Sequence, residues 1–165
     1  MNKPRIGTGK ILIVGGGTAG WMTAILFADA WRDTATEICL LESSDIGIIG
    51  VGEGSTPEMR RFFERLNIPE SEWMPACNAT YKCGIRFPDW STRKGFKSYY
   101  HPFFSISDDH TVRAFAQNVA VRRENFDVHA HPDAFFVSNY LAKRKLAPKP
   151  DPKLEYQTEY AYHFD

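Results

Sequence analysis

The chain has 165 residues, which suffice for one domain, and its 43% hydrophobic and 14% aromatic residues are enough for a packed core. Twenty basic and twenty acidic side chains give a formal net charge of zero, which argues against a nucleic-acid-binding or membrane-binding surface. Three cysteines without a CxxC pair indicate free thiols in a reducing compartment, and no apolar segment has the length of a signal peptide or a membrane span, so we expect a cytoplasmic protein.

The first predicted elements are a strand, a glycine-rich turn with GxGxxG spacing, and a helix. The strand covers about Lys10–Val14, and the helix covers about Thr18–Trp31. Gly15 permits the sharp turn, Gly17 lets a pyrophosphate approach the backbone, and Gly20 lets the helix pack on the strand. The N-terminus of the helix would then hold the phosphates.

A second predicted strand, Glu37–Leu41, is followed by Glu42, which lies 22 residues after Gly20. Dinucleotide-binding folds place an acidic residue there to bind the ribose 2′-hydroxyl. Ser43 and Ser44 follow it instead of a basic residue, which disfavours NADP. The alternative is a glycine-rich turn that merely packs. Strand, turn, helix and acid together favour a dinucleotide site.

The segment 43–57 contains four glycines within eight positions, so it cannot be a regular helix and instead offers bare backbone amides to a ligand. The alternative is a flexible surface loop. The isoleucines and the valine that lie between the glycines of this segment argue against it. A helix is predicted from Ser55 or Thr56, because Ser55 and Glu58 form a capping box. A short turn around Pro69–Met74 is predicted after it.

Alternation of apolar and polar residues predicts one strand over 79–87, with Lys82 and Arg86 on the same face. From spacing alone, both are interpreted as solvated residues on a polar face. The aromatic patch Ser98–Phe104 contains a histidine and a proline, so we do not expect a plain strand there, and it could form a pocket wall.

Two helices are predicted in the last third of the chain, over about 111–123 after Asp109 and over about 133–146. His129 and His131 lack further ligands at suitable spacing, which favours a loop over a metal site. Residues 147–152 are predicted to be an extended connector. A doubly wound sheet needs more parallel strands than these, so we expect a fragment, cut before its sheet is complete.

Four motifs in this order resemble the flavin-dependent tryptophan halogenases, and the resemblance covers essentially the whole chain. They are Gly-Gly-Gly-Thr-Ala-Gly-Trp at 15–21, Gly-Val-Gly-Glu-Gly-Ser-Thr-Pro at 50–57, the stretch 78–90 around Tyr81-Lys82, and the Tyr-His-Phe-Asp ending. The resemblance implies an α/β fold: a glutathione-reductase-like FAD-binding Rossmann domain, truncated before the sheet and the substrate region are complete. Residues 1–90 would form the core of the FAD-binding domain, and residues 91–165 would begin the substrate-binding region.

The resemblance also implies a set of site residues. Lys82 matches the catalytic lysine of the family, and His101 and Phe103 match the pair that sandwiches the indole. The second motif matches the strap that lies along the flavin. The residues that would contact FAD are Gly15, Gly17, Thr18, Ala19, Gly20, Glu42, Gly50, Val51, Gly52 and Glu53.

The chemistry that the resemblance implies is that of an oxidoreductase with halide as co-substrate. Reduced FAD, supplied by a separate flavin reductase, would react with oxygen to give a flavin hydroperoxide, and halide would convert this to hypohalous acid. The lysine would deliver the halogen to tryptophan or a related indole. The family's Trp-x-Trp-x-Ile-Pro motif, its glutamate partner of the lysine and its halide site are absent from residues 1–165, so we expect this piece alone to be inactive.

Two alternatives remain open from the sequence. One is a flavin-dependent monooxygenase of the same fold, in which substrate is hydroxylated directly and Lys82 is incidental. The other is a truncated, non-catalytic FAD-binding or interaction module.

Overall fold

A computed structural model describes residues 9–47, 53–149 and 151–164. Three residues of the predicted strap, Gly50, Val51 and Gly52, lie outside the described residues. The chain forms two compact units, Met1–Val51 and Gly52–Asp165, which are described separately below. No helix in the described ranges has both the length and the apolar character needed to cross a membrane.

The first unit is a β-α-β arrangement. Strand β1 (Lys10–Val14) and strand β2 (Glu37–Leu41) are parallel, with Lys10 opposite Glu37 and Val14 opposite Leu41. Parallel neighbours need a crossover connection, and helix α1 (Thr18–Ala30) provides it. The strand, turn, helix and strand predicted from the sequence are all present, and the helix ends one residue early.

The second unit contains the remaining elements. Its helices are α2 (Glu58–Arg65), α3 (Glu70–Ala76), α4 (Asp109–Arg123) and α5 (Val137–Arg144), with single 3-10 turns at Ile106–Asp108 and Pro132–Ala134. Its strands are β3 (Glu53–Gly54), β4 (Thr80–Lys82), β5 (Gly84–Phe87), β6 (Tyr99–Pro102) and β7 (Ala161–Phe164). In the described part of this unit, β7 lies between β3 and β4 in an antiparallel sheet, while β5 and β6 form a separate antiparallel pair.

An aromatic core covers one face of the sheet β3-β7-β4. Trp73 of α3 stacks on Phe63 of α2, with 4.0 Å between ring centroids, and meets the Tyr162 ring edge-on at 4.5 Å. Tyr162 is completely buried. Because strand side chains alternate between faces, Tyr81 and Tyr162 share the core face, whereas Lys82 lies on the opposite face.

Four predictions for the elements of this unit are wrong. The helix predicted from Ser55 or Thr56 begins only at Glu58, with Pro57 as its N-cap and no side-chain capping bond, so the Ser55–Glu58 capping box is not formed. The segment 79–87 is not one strand: it divides at Cys83, so β4 joins the sheet of β7 while β5 pairs with β6. Lys82 and Arg86 therefore do not share a face. Residues Tyr99–Pro102 do form a strand, which tolerates Pro102 as its last residue because the missing N–H falls at the strand end. The turn predicted around Pro69–Met74 is helix α3.

The two later helices are confirmed with shifted ends. Helix α4 begins at Asp109 itself. Helix α5 is shorter than predicted, because a 3-10 turn occupies Pro132–Ala134 and Lys145 adopts a left-handed conformation with φ of 56°. Residues Ala161–Phe164 form strand β7, which the sequence alone did not indicate.

Candidate active site

The turn between β1 and α1 requires glycine at two positions. Gly15 has a φ of +117°, a backbone conformation that residues with a Cβ rarely adopt. Its N–H donates to the Leu41 carbonyl over 2.9 Å. A Cβ placed on Gly20 would lie 1.9 Å from the Gly15 carbonyl oxygen. Glycine at position 20 therefore allows the backbone of α1 to pack against the end of β1 more closely than any residue with a side chain would.

The N-terminus of α1 has the properties of an anion-binding site. Gly17 is its N-cap, no side chain caps the helix, and its first turn, which begins with Thr18 and Ala19, contains no acidic residue. The first N–H groups of a helix lack intrahelical partners and sit at the positive end of the helix dipole. A Cβ on Gly17 would meet no atom within 4 Å, so a ligand has room to approach the backbone there.

Glu42 lies directly over this turn. A Cβ placed on Gly16 would be only 1.8 Å from Glu42 Oε2. The carboxylate follows the last residue of β2 and is exposed. Open amides for a diphosphate and an adjacent carboxylate for a ribose hydroxyl are the groups that the ADP half of FAD needs, so the residues of the first unit fit this cofactor.

Lys82, the last residue of β4, has its ammonium held from two sides. Nζ donates a hydrogen bond to the Ser55 carbonyl oxygen over 3.1 Å and lies 5.7 Å from the centroid of the Phe103 ring. A Cβ on Gly54 would be 2.7 Å from Nζ, so the ammonium occupies space that only glycine leaves. Within the described ranges, Lys82 has no carboxylate partner, and its charge faces a carbonyl dipole and an aromatic ring.

His101 and Phe103 line one cleft of about 530 Å³, together with Thr56, Pro57 and Phe104. His101 is exposed on β6, with its ring 6.0 Å from that of Phe104 in an edge-on arrangement. Phe103 follows β6, and its N–H donates to the Cys83 carbonyl over 3.1 Å. Phe103 contacts both this cleft and the Lys82 ammonium, whereas Lys82 itself lines a separate cleft of about 650 Å³ with Cys83 and Tyr100. Glu53 begins β3, opposite Phe164, and is exposed.

The sequence indicated a helix cap for Ser55 and no role for Glu70, whereas the structure gives both of them other contacts. Ser55 holds Lys82 through its carbonyl group, and its own N–H donates to the Tyr162 carbonyl over 2.8 Å. Glu70 accepts hydrogen bonds from three tyrosines and forms an ion pair with Lys149. Burial acts to raise the pKa of Glu70, but the hydrogen bonds from Lys149 and the tyrosines outweigh it and hold this pKa below its ordinary value.

No local pattern marks Glu70, because its tyrosine partners lie up to 92 residues away in the sequence. Burial, reinforced by hydrogen bonding to Glu70, raises the pKa of Tyr160 and Tyr162, so both hydroxyls remain protonated donors. Arg86 is exposed, but it also has partners that the sequence did not indicate. Its guanidinium donates to Asn139 over 2.8 Å and to Asp133 over 3.1 Å, which joins β5 to α5 and to the 3-10 turn before it.

A sequence profile of the family described as "Tryptophan halogenase" matches residues 10–165, which is nearly the whole chain. The chain belongs to the tryptophan halogenase family. It is similar to tryptophan 6-halogenase ThaL of Streptomyces albogriseolus, with 35% identity over 173 aligned residues that cover 94% of the chain and 31% of ThaL. It is also similar to tryptophan 6-halogenase SttH of Streptomyces toxytricini, with 53% identity over 94 residues that cover 57% of the chain and 17% of SttH.

Solved structures of this family share the fold. The crystal structure of SttH superposes with a TM-score of 0.72 at 40% identity and covers 95% of this chain and 30% of its own. Xcc4156, a flavin-dependent halogenase from Xanthomonas campestris, gives a TM-score of 0.73 at 32% identity, with 96% and 31% covered. The predicted α/β fold class of the flavin halogenases is confirmed. The chain spans about a third or less of the length of these relatives.

Proposed function

We propose that the protein containing this chain is a flavin-dependent halogenase that acts on tryptophan or a related indole. The observation that carries this proposal is the position of the Lys82 ammonium, which lies against Phe103 beside the cleft of His101. Membership of the tryptophan halogenase family supports the substrate class. Halide and reduced FAD would be its co-substrates.

The first unit would hold the ADP half of FAD. The N–H groups at the start of α1, at Thr18 and Ala19, would bind the diphosphate, and Glu42 would accept a hydrogen bond from the ribose. Glu53, with the undescribed residues 50–52, would contribute the strap. When bound, the reduced flavin would supply, with oxygen, the oxidising power that converts halide to hypohalous acid.

Lys82 would direct the halogen onto the ring. Its ammonium can donate a hydrogen bond to the oxygen of hypohalous acid, which polarises the oxygen–halogen bond. The ring carbon then forms a bond to the halogen, the oxygen–halogen bond breaks, and the ring proton leaves with the hydroxide as water. Alternatively, a neutral amine would attack the halogen of hypohalous acid: a nitrogen–halogen bond would form, the oxygen–halogen bond would break, and the hydroxide would leave with an amine proton as water before the halogen passes to the ring. The Ser55 carbonyl fixes Nζ over 3.1 Å for either role.

The cleft would orient the indole. Phe103 and His101 offer an aromatic face and an imidazole on its wall, and stacking on such rings holds a flat substrate in one plane. In this proposal, as in the sequence prediction, residues 1–90 would contribute the FAD site and the lysine, and residues 91–165 would begin the substrate-binding region.

We further propose a separate flavin reductase as the source of reduced FAD and the cytoplasm as the compartment. The free cysteines Cys39, Cys77 and Cys83 support a reducing compartment. Because residues 1–165 cover about a third or less of their relatives' length, we expect this stretch alone to give no halogenated product.

The test uses the protein expressed from its complete reading frame, with reduced FAD, oxygen, halide and tryptophan. We expect a halogenated product from the wild type and a loss of at least about 100-fold for Lys82→Ala, because positioned proton donors contribute such factors. FAD binding should be unchanged. The matched control is Lys94→Ala, which removes an exposed lysine of the same unit that lines neither the cleft of His101 nor that of Lys82.

Other outcomes would change the proposal. A Lys82→Ala variant that halogenates as fast as the wild type would refute the role of this lysine. Hydroxylated indole as the sole product would identify a flavin monooxygenase of the same fold. Failure of the wild type to bind FAD or to give any product would leave a non-catalytic module.

A further inference from the structure

The sheet that carries Lys82 has two chemically different faces. Lys82 lies opposite Ala161 of β7, on the same face as His163 and Gly54. The other face carries three tyrosines, of which Tyr81 pairs with Tyr162 and Tyr160 precedes the strand. All three hydroxyl groups converge on the side chain of Glu70, the first residue of α3.

The Glu70 carboxylate is fully used as an acceptor. Its Oε1 accepts hydrogen bonds from Tyr160 and Tyr162, both over 2.8 Å, and its Oε2 accepts one from Tyr81 over 3.1 Å. The Lys149 ammonium forms an ion pair with the same Oε2. Four donors on one charged group form charge-assisted bonds, which are stronger than bonds between neutral groups.

The positions of these donors in the sheet matter for Lys82. Tyr81 immediately precedes Lys82 in β4, while Tyr160 and Tyr162 flank Ala161, the residue that pairs with Lys82. One carboxylate therefore fixes the backbone at three points around the lysine. The tyrosine rings cannot easily shift, because Tyr160 and Tyr162 are buried and Tyr81 packs against them in the core with Trp73.

The same sheet also sets the second contact of the lysine. Ser55 follows β3, its N–H donates to the Tyr162 carbonyl, and its own carbonyl accepts the bond from Lys82 Nζ. Strand β7 thus positions both the backbone of Lys82 and the Ser55 carbonyl that accepts its hydrogen bond. Glu70 in turn holds β7 through its bonds from Tyr160 and Tyr162.

We infer that Glu70 is a positioning residue for Lys82: by binding three tyrosines from behind the sheet, it fixes both the strand of the lysine and the carbonyl group that holds its ammonium. The inference rests on the proposed function of Lys82. Glu70 touches neither the lysine side chain nor the cleft of His101, so it would act through the sheet alone.

The test measures the chemical reactivity of Lys82 in the protein expressed from its complete reading frame. Glu70→Gln replaces one accepting oxygen with an amide NH₂ group that faces two donors, so the cluster cannot be satisfied. Acylation of each lysine by N-acetoxysuccinimide, followed by peptide mass spectrometry over a series of pH values, reports how well each amine is held. This readout needs neither flavin nor turnover.

We expect acylation of Lys82 to accelerate at least about fivefold in Glu70→Gln, while the exposed Lys94 keeps its rate. The matched control is Glu72→Gln on the same helix, whose exposed side chain should leave the Lys82 rate unchanged. General acceleration at every lysine of the second unit would show that Glu70 only maintains the fold, and it would overturn the inference.

A milder variant covers the case in which Glu70→Gln does not fold. Tyr81→Phe removes one hydrogen bond to Glu70 and keeps the packed ring, so it should accelerate acylation of Lys82 by a smaller factor. Lys82 acylated at the wild-type rate in every variant that folds would refute the inference.

Turnover gives an independent readout. In Glu70→Gln we expect halide-dependent oxygen consumption to persist while halogenated product falls at least about tenfold, because the oxidant is made but not delivered. If the wild type itself makes no product, the proposed function fails, and the acylation rates still decide the role of Glu70. If the wild type halogenates and the acylation rates do not change, only the positioning role fails.

Discussion

The two units of this chain prepare ligand contacts by different means. In the first unit, the groups that fit a dinucleotide are mainly backbone amides at the start of α1, and none of the side chains described over 9–47 is buried. In the second unit, the group that we propose to be reactive is a side chain, Lys82, and behind its sheet lies a core of Trp73, Tyr160 and Tyr162.

This difference shows where each unit should be sensitive to substitution. Backbone amides are placed by the path of the chain alone, so added atoms in the turn should do the most damage to the first unit. A long, flexible lysine is placed only by the neighbours that hold it, so removed atoms should do the most damage to the second unit. The three expectations below test this contrast, from the largest effect to the smallest.

The largest effect should come from Trp73→Ala. Trp73 is 8% exposed, stacks on Phe63 and contacts Tyr162, so its removal leaves a cavity at the centre of the core. We expect a loss of about 3–5 kcal/mol in the free energy of unfolding of the second unit. Denaturant titration measures the loss, and hydrogen exchange should rise at amides of β4 and β7 but not of β1 and β2.

The control for this expectation is Trp90→Ala. Trp90 belongs to the same unit and is 65% exposed, so its removal should cost much less. Equal losses for the two variants, or equal exchange in both units, would contradict the view that the core of the second unit lies around Trp73.

The contrast also explains which parts of the fold the sequence could predict. Elements β1, α1 and β2 follow one another in the chain, and β1 pairs directly with β2. The local residue pattern and the glycine spacing were therefore sufficient to predict all three elements. The division of 79–87 at Cys83 depends on β7, which lies about eighty residues further along the chain. Alternation within the segment cannot reveal that its two halves join different sheets.

The candidate site was predictable to a similar extent. Lys82, His101 and Phe103 came from resemblance, and the structure places Phe103 between the lysine and the cleft of His101. Ser55 acts on Lys82 through a backbone carbonyl, which any residue type possesses, so its identity carried no signal. Glu70 resembles any helix-terminal acid in the sequence, and only the folded sheet brings its three tyrosines together.

A smaller effect should come from Gly20→Ala in the first unit. The added Cβ would lie 1.9 Å from the Gly15 carbonyl oxygen, so the turn must open and the amides at the start of α1 must move. We expect the Kd for FAD to rise at least about tenfold, which corresponds to about 1.4 kcal/mol, while the stability of the second unit stays unchanged. Titration with FAD, followed by quenching of flavin fluorescence, measures this.

Asp33→Ala is the control for the turn. Asp33 is exposed in the same unit, in the turn that follows α1, away from the glycine turn at the start of that helix. Its Kd for FAD should equal that of the wild type. If Gly20→Ala also binds FAD with the wild-type Kd, the α1 turn is not the diphosphate site.

The smallest effect concerns the pH dependence of the second unit. In the folded protein the pKa of Glu70 is lower than in the unfolded chain, so ionised Glu70 stabilises the fold. This contribution is fully present above the unfolded pKa of about 4.3, and it is lost as the pH falls through the folded pKa. Glu70→Gln cannot ionise. The difference in unfolding free energy between wild type and variant should therefore be constant above about pH 5 and shrink below it.

Urea titrations of both proteins over this range measure that difference, and other acids such as Glu159, which pairs with Arg60, cancel because both proteins contain them. Glu72→Gln should show no such pH-dependent difference from the wild type, since its exposed side chain on α3 lacks the tyrosine cluster. A difference for Glu70→Gln that stays constant down to about pH 2 would mean that Glu70 gains nothing from its charge in the folded state. The second unit would then depend on its aromatic packing alone, and the anchoring of the lysine strand by a carboxylate would have to be abandoned.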